Sequence, residues 1–289
     1  MVSVQIEALM TEDQVSFLSQ LAISAGEEIL KIYAEPFEVE SKIDGSPVTK
    51  ADAAAEKIIL AGLAERFADI PVVAEESVEA GNLPDVRDRY FLVDPLDGTK
   101  EFLKKNGEFT VNIALIEAGK PVFGVVSAPA LGEIYWGGHL EMDGTQRDAA
   151  FKGRIEAGRV TGIEPVSVRT PPAEGLSVLA SRSHMSGETA AFIGRFKVAE
   201  QLSVGSSLKL CWVAAGAADL YPRLAPTMQW DIAAGDAVVR AAGGAVVLAE
   251  TGDDFVYRVP DNATKDDLRN PHFLAVSSKA LLQGLAPAA

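Results

Sequence analysis

The run Asp94-Pro95-Leu96-Asp97-Gly98-Thr99 packs two carboxylates, a glycine and a hydroxyl into one short stretch. The apolar residues Tyr90 to Val93 lead into it and Lys100-Glu101-Phe102-Leu103 follow, so the pattern predicts a strand, a turn and a helix. Such a transition can hold a hard divalent cation on Asp94 and Asp97 while the start of the helix offers N–H groups to an anion. A cation beside a phosphate cradle is what phosphoryl hydrolysis needs. Taken alone, Pro95 to Gly98 is equally well explained as a tight turn.

Three further stretches carry the same chemistry. Val72-Val73-Ala74-Glu75-Glu76 is an apolar strand ending in paired acids, which fits either a solvated loop or a site with Glu75 facing it and Glu76 in support. Asp94 ends the next strand, so strand pairing can bring Glu75, Asp94 and Asp97 together. In Trp230-Asp231, Asp231 reads as the N-cap of a helix through Ala242, or as an outward-turned metal ligand beside an apolar wall. Between Asp44 and Asp52, Thr49 or Asp52 caps the following helix. Alternatively, Asp52 hydrogen-bonds Thr99 and orients that hydroxyl toward a reacting water.

These residues need a scaffold. Thr11 is expected to cap a helix running to Tyr33, with Leu18, Leu21, Ala22, Ala25 and Ile29 on one face. A short strand at Val39–Ile43 and a helix at Asp52–Phe67 follow. Strands are expected at Val72–Ala74, Tyr90–Val93, Val111–Glu117 and Val122–Ser127, then at Glu133–Trp136, ending at Gly137-Gly138. From Asp143 to Pro172 the chain is polar and weakly patterned, with at most short strands at Arg159–Gly162 and Val166–Val168, and it marks a subdomain boundary. Beyond it, short strands alternate with helices, from a strand at Leu176–Ala180 to a helix at Lys279–Gly284. The fold class is α/β in layered α+β form. One catalytic unit is divided into a metal-binding α+β subdomain, 1–160, and an α/β subdomain, 161–289.

The 289 residues are enough for a large core, and 48% hydrophobic and 23% charged residues are ordinary for a globular protein. The net charge of −15 argues against a nucleic-acid polymer as partner, because the expected basic stripe is missing. It leaves room for a small phosphorylated substrate, since bound Mg²⁺ inverts the field of an acidic pocket. Cys211 is the sole cysteine and lies in an apolar run, so it reads as a buried thiol in a reducing, cytoplasmic setting. Met1 to Met10 lacks the features of a secretory signal, and no stretch has the ~18 apolar residues of a transmembrane segment. Peripheral association with the inner membrane stays open.

Together the motifs resemble the Mg²⁺-dependent, lithium-sensitive phosphomonoesterases of the inositol monophosphatase superfamily. The pattern appears as Asp52, Glu75-Glu76, Asp94-Pro95-Leu96-Asp97-Gly98-Thr99, Trp230-Asp231 and, after eleven residues, Gly243-Gly244. The resemblance implies an alternating αβαβα sandwich of the inositol monophosphatase and fructose-1,6-bisphosphatase type. Lys100-Glu101-Phe102 replaces the Thr-Asn-Phe usual in inositol monophosphatases. Ser181-Arg182-Ser183-His184, Gly205-Ser206-Ser207-Leu208-Lys209 and Tyr221-Pro222-Arg223 are similar to the bacterial CysQ-type 3′(2′),5′-bisphosphate nucleotidases. That branch implies hydrolysis of adenosine 3′,5′-bisphosphate, and of its sulfated relative, by a monomer or homodimer.

By the same resemblance, Glu75, Asp94, Asp97, Asp231 and the Leu96 carbonyl hold two or three Mg²⁺ ions. Thr99 and Asp52 orient the attacking water, and the Gly98 and Thr99 N–H groups meet the phosphoryl oxygens. His184, Ser206, Lys209 and Arg223 match the positions for the retained phosphate and nucleoside, although each also has an ordinary reading as a loop residue, cap or surface charge. An inositol monophosphate or fructose 1,6-bisphosphate remains an alternative substrate, and a regulatory phosphometabolite-binding protein an alternative role.

Overall fold

The computed structural model describes residues 9–35, 39–41, 47–180 and 186–283. The first helix, α1 (Glu12–Ala34), starts where the sequence places it. Thr11 Oγ1 accepts from the Gln14 N–H, and Gln14 Oε1 accepts from the Thr11 N–H in return. The chain continues through β1 (Val39–Ser41), β2 (Pro47–Thr49), α2 (Lys50–Arg66), β3 (Val72–Ala74), α3 (Glu75–Glu79), β4 (Arg89–Asp97) and α4 (Thr99–Leu103). Five antiparallel strands follow: β5 (Thr110–Glu117), β6 (Lys120–Ala128), β7 (Glu133–Met142), β8 (Thr145–Glu156) and β9 (Arg159–Val166). The rest alternates: β10 (Leu176–Leu179), α5 (Gly187–Ile193), β11 (Val198–Leu202), α6 (Leu208–Ala214), β12 (Leu220–Arg223), α7 (Gln229–Ala241), β13 (Ala245–Leu248) and β14 (Phe273–Val276).

Two main sheets result, in the orders β3-β4-β5-β6-β7-β8-β9 and β11-β10-β12-β14-β13. Strand alternation sorts side chains into layers. Phe91 and Val93 of β4 point to α1 and α2, whereas Tyr90 and Leu92 point to α6 and α7. The inner face of the smaller sheet (Leu179, Tyr221, Val246, Ala275) closes on α6 and α7 from the other side, and its outer face is covered by Phe192 and Ile193 of α5. The order α, β, α, β, α is the layered sandwich expected.

Three expectations are corrected. Gly137-Gly138 does not end β7, which runs on to Met142. These glycines serve packing: a Cβ on Gly137 would lie 3.1 Å from the Val238 backbone of α7, and one on Gly138 would lie 2.3 Å from the Val122 carbonyl. The polar stretch from Asp143 holds the long strands β8 and β9, which are largely exposed beyond the core and so lack an apolar signature. The pairing of β9 with β8 carries the larger sheet to Val166. Finally, Pro95 to Gly98 is not a simple turn, because β4 continues to Asp97. Among the described residues no helix is long and apolar enough to cross a membrane.

Candidate active site

Pairing in the larger sheet assembles the first carboxylates. β3 and β4 run parallel with Ala74 opposite Val93, so Glu75 and Asp94, the next residues, are neighbours. On the other side of β4, Asp94 pairs with Asn112 and Asp97 with Thr110, so Pro95 and Leu96 together face only Val111. The extra residue is a bulge, and it reverses the alternation of side chains. Residues three apart in a regular strand face opposite ways; across the bulge Asp94 and Asp97 both line one cavity. Proline suits the position because it has no N–H to lose from the ladder. The Leu96 N–H donates to Asp94 Oδ1 at 3.0 Å, fixing the bulge to the carboxylate it displays. Gly98, at φ 92°, then turns the chain into α4 with Thr99 at its first position.

The second half supplies the opposite wall. Asp231 lies on the first turn of α7 rather than at its cap, and its Oδ2 accepts from the Met228 N–H at 2.9 Å. Glu75, Asp94, Asp97 and Asp231 share a cavity of about 410 Å³ with Thr99, Ser206, Lys209 and Arg223. Asp94 is 1% exposed, and burial followed by the charges of Glu75, Asp97, Asp231 and Asp52 holds its carboxyl far above the ordinary carboxylate range. Burial and the charges of Asp97 and Glu75 raise Asp231 in the same way. Burial also raises Asp97, although the Lys209 ammonium and the Ser207 hydroxyl pull it back. Asp52, on the first turn of α2, is buried and adds to the field at Asp94. α4 packs against β2, the strand that leads into α2, which brings the segment carrying Thr99 toward that of Asp52.

Four mutually repelling acids and the Leu96 carbonyl form an all-oxygen donor set suited to a hard cation. Among the described residues no three His, Cys, Asp or Glu side chains are grouped closely enough to hold a metal ion by themselves. A hard cation here would need water and substrate phosphate to complete its shell.

Lys209 is 7% exposed, and its Nζ donates to the Ser206 carbonyl at 2.8 Å and the Val204 carbonyl at 3.2 Å. Burial pushes it down to about 8, against the pull of Asp97. Ser206 is held at φ 46°, and its buried Oγ has no hydrogen-bond partner among the described residues; neither have Arg223 Nε and Trp230 Nε1. His184 lies outside the described residues.

Sequence patterns missed several positioning groups. Ser207 Oγ accepts from Asn112 Nδ2 (3.0 Å), and its one proton is shared between Asp97 Oδ2 (3.0 Å) and the Asp231 carbonyl (2.5 Å). α3 has no side-chain cap of its own; Glu56 of α2 accepts from the Glu76 N–H at 2.8 Å and from Ser77 Oγ at 2.6 Å. Glu56 stands one helical turn after Asp52 in an alanine-rich stretch, a spacing that could have flagged a buried pair. Glu108 Oε2 accepts from the Gly205 N–H at 2.7 Å, and a Cβ at Gly205 would come within 2.6 Å of the Glu108 carbonyl. Cys211 is buried and free, its thiol pushed up by burial, as an inert core residue should be.

A family model described as the inositol monophosphatase family matches residues 11–289. The 3′(2′),5′-bisphosphate nucleotidase CysQ of Salmonella typhimurium is 43% identical over 256 residues, covering 88% of this chain and 96% of that protein. CysQ of Escherichia coli K12 is 42% identical over 259 residues with the same coverage. Among solved structures, CysQ from Bacteroides thetaiotaomicron superposes with a TM-score of 0.71 at 38% identity, covering 92% of this chain and 99% of that one.

Proposed function

The chain belongs to the inositol monophosphatase family, and from that premise we infer that it is a phosphomonoesterase converting adenosine 3′,5′-bisphosphate to AMP and phosphate. Its activity extends to the sulfated relative of that nucleotide. The observation that carries this reading is one cavity lined both by the carboxylates Glu75, Asp94, Asp97 and Asp231 and by the cations and hydroxyl of Lys209, Arg223 and Ser206. A substrate with two phosphates needs both sets of groups.

Glu75, Asp94, Asp97, Asp231 and the Leu96 carbonyl would hold two or three Mg²⁺ ions. When bound, Mg²⁺ supplies the charge that makes water nucleophilic at neutral pH and offsets the charge developing on the phosphoryl and leaving oxygens. Thr99 and Asp52 orient the attacking water and take up its proton. The Gly98 and Thr99 N–H groups face the equatorial phosphoryl oxygens, where fixed dipoles stabilise the transition state. Ser207 and Lys209 keep Asp97 in its ionised, ligating form. Ser206 Oγ and Arg223 Nε, without hydrogen-bond partners among the described residues, serve the nucleoside and the retained phosphate, together with His184. A cytoplasmic setting suits the lone reduced thiol.

Phosphate release from adenosine 3′,5′-bisphosphate, with Mg²⁺ and after chelation, tests this function. Turnover that stops on chelation and returns with Mg²⁺ is expected. Nucleotide binding without release in saturating Mg²⁺ would make the chain a regulatory binding protein instead.

A further inference from the structure

Two cations at the rim of the cavity belong to none of the motifs above. Lys265 opens a 3₁₀ turn at Lys265–Leu268, Arg269 follows it, and both line the cavity. Their segment is tied to the start of α7. The Asn270 N–H donates to the Thr227 carbonyl at 2.8 Å, and Asn270 Nδ2 donates to the Met228 carbonyl at 2.6 Å and Thr227 Oγ1 at 3.0 Å. Arg269 itself bridges to Met228. Because the Met228 N–H is held by Asp231, one short chain of hydrogen bonds runs from a carboxylate of the metal wall to the rim cations. Lys265 also reaches across to the other half of the molecule, where its Nζ meets Glu79 Oε1 at 2.5 Å. Glu79 is one turn along α3 from Glu75, ~6 Å at 1.5 Å per residue.

The other cations of the cavity lie nearer the carboxylates. Lys209 is buried on two backbone carbonyls beside Asp97, and Arg223 donates from Nη2 to the Pro226 carbonyl at 3.1 Å. Arg223 and Arg269 therefore flank the same Pro226–Met228 segment, and Lys265 lines the same cavity. Arg269 is 61% exposed, and its Nε contacts the exposed Asp266 at 3.1 Å. That contact leaves most of its five donors to a ligand, and a guanidinium offers a planar fork matched to phosphate.

We propose that Lys265 and Arg269 are specificity-determining residues, which complete with Arg223 an anion subsite for the phosphate that a bisphosphate substrate keeps. The proposal rests on the nucleoside bisphosphate reading above. The subsite leaves the reaction at the carboxylate wall unchanged and acts on substrate choice.

The test is steady-state kinetics of the full-length enzyme with Mg²⁺ on adenosine 3′,5′-bisphosphate and on adenosine 3′-monophosphate, which lacks the retained phosphate. Wild type, Lys265→Gln, Arg269→Gln and the double variant are compared. The expected result is a KM for the bisphosphate raised about tenfold or more in the double variant, as for loss of a charged hydrogen bond, with kcat unchanged. The monophosphate parameters stay within about twofold of wild type, the spread expected where no contact is lost. Glu79→Gln, which relaxes the hold on Lys265, should leave the bisphosphate KM unchanged or lower it. Equal losses on both substrates, or a Glu79→Gln variant as impaired as Lys265→Gln, would show a structural latch and overturn the proposal. So would a double variant that keeps the wild-type preference. A wild-type enzyme that does not prefer the bisphosphate overturns the substrate reading and this inference with it, whereas a wild-type preference left intact by the substitutions overturns this inference alone.

Discussion

Ser207 and Asp97 join the two halves of the molecule at the reacting centre: the serine, at the start of α6, donates its hydroxyl at 3.0 Å to an aspartate that a strand bulge in the other half presents. The same oxygen reaches the Asp231 carbonyl and is held by Asn112. One small side chain thus fixes the distance between the Asp97 and Asp231 walls.

Ser207→Ala removes that link and leaves Asn112 Nδ2 without its acceptor. Loss of a hydrogen bond to a charged group is worth about 1.5–3 kcal/mol. If it is felt mainly in the transition state, kcat falls about tenfold to a hundredfold. Steady-state kinetics beside a denaturant midpoint check this, and a fall in stability with unchanged kcat would assign Ser207 to packing alone.

Asp97→Asn keeps an oxygen acceptor for Ser207 but removes the charge that a cation needs. Turnover is expected to disappear while the circular dichroism spectrum and melting temperature stay near wild type, since a carboxyl that burial raises above its ordinary range is not a stabilising charge when ionised. Near-normal activity in Mg²⁺ would contradict the assignment of Asp97 as a ligand.

Lys209 gives the pH profile its alkaline limb. Burial lowers its ionisation from an ordinary 10.5 to about 8, so the cavity loses a positive charge as pH rises through that value. kcat/KM for the anionic substrate should fall above about pH 8 in wild type and be low but without this limb in Lys209→Met. The stability term has the opposite sign: between about 8 and 10.5 the unfolded lysine binds a proton that the folded one has released, so this residue's contribution to stability rises with pH. Unchanged alkaline limbs in wild type and variant would place the titration elsewhere.

Gly124→Ala probes how closely α7 must approach the sheet. A Cβ at Gly124 would lie 2.2 Å from the Ala234 carbonyl oxygen, one turn along α7 from Asp231. Overpacking of this kind costs about 1–3 kcal/mol, and because the helix carries Asp231, activity should fall together with the melting temperature. An active variant of wild-type stability would show that α7 can move without disturbing the site.

Much of this site was legible because its residues are costly anywhere else. Glu75, Asp94 and Asp97 follow apolar strands, and acids in that position have few structural uses. The bulge was hidden because Pro95 and Gly98 signal a turn as strongly as they signal a break in a ladder. Asp231 looks like a cap in the sequence, and only the start of α7 at Gln229 reveals that it reaches back to Met228 from within the helix. The strands β8 and β9 were largely missed because their exposed residues, such as Arg147, Arg154 and Glu164, have the composition of a loop. Ser207 meets Asp97 across 110 residues of sequence, a contact that no local pattern encodes.

Substrate choice is the most direct test. With purified enzyme and Mg²⁺, phosphate release from adenosine 3′,5′-bisphosphate is measured beside release from inositol 1-phosphate and fructose 1,6-bisphosphate. A kcat/KM for the nucleotide at least about a hundredfold above either sugar phosphate, a preference of ~2.7 kcal/mol, is the expected result. Equal or faster hydrolysis of inositol 1-phosphate would contradict it and return the site to the metal core alone.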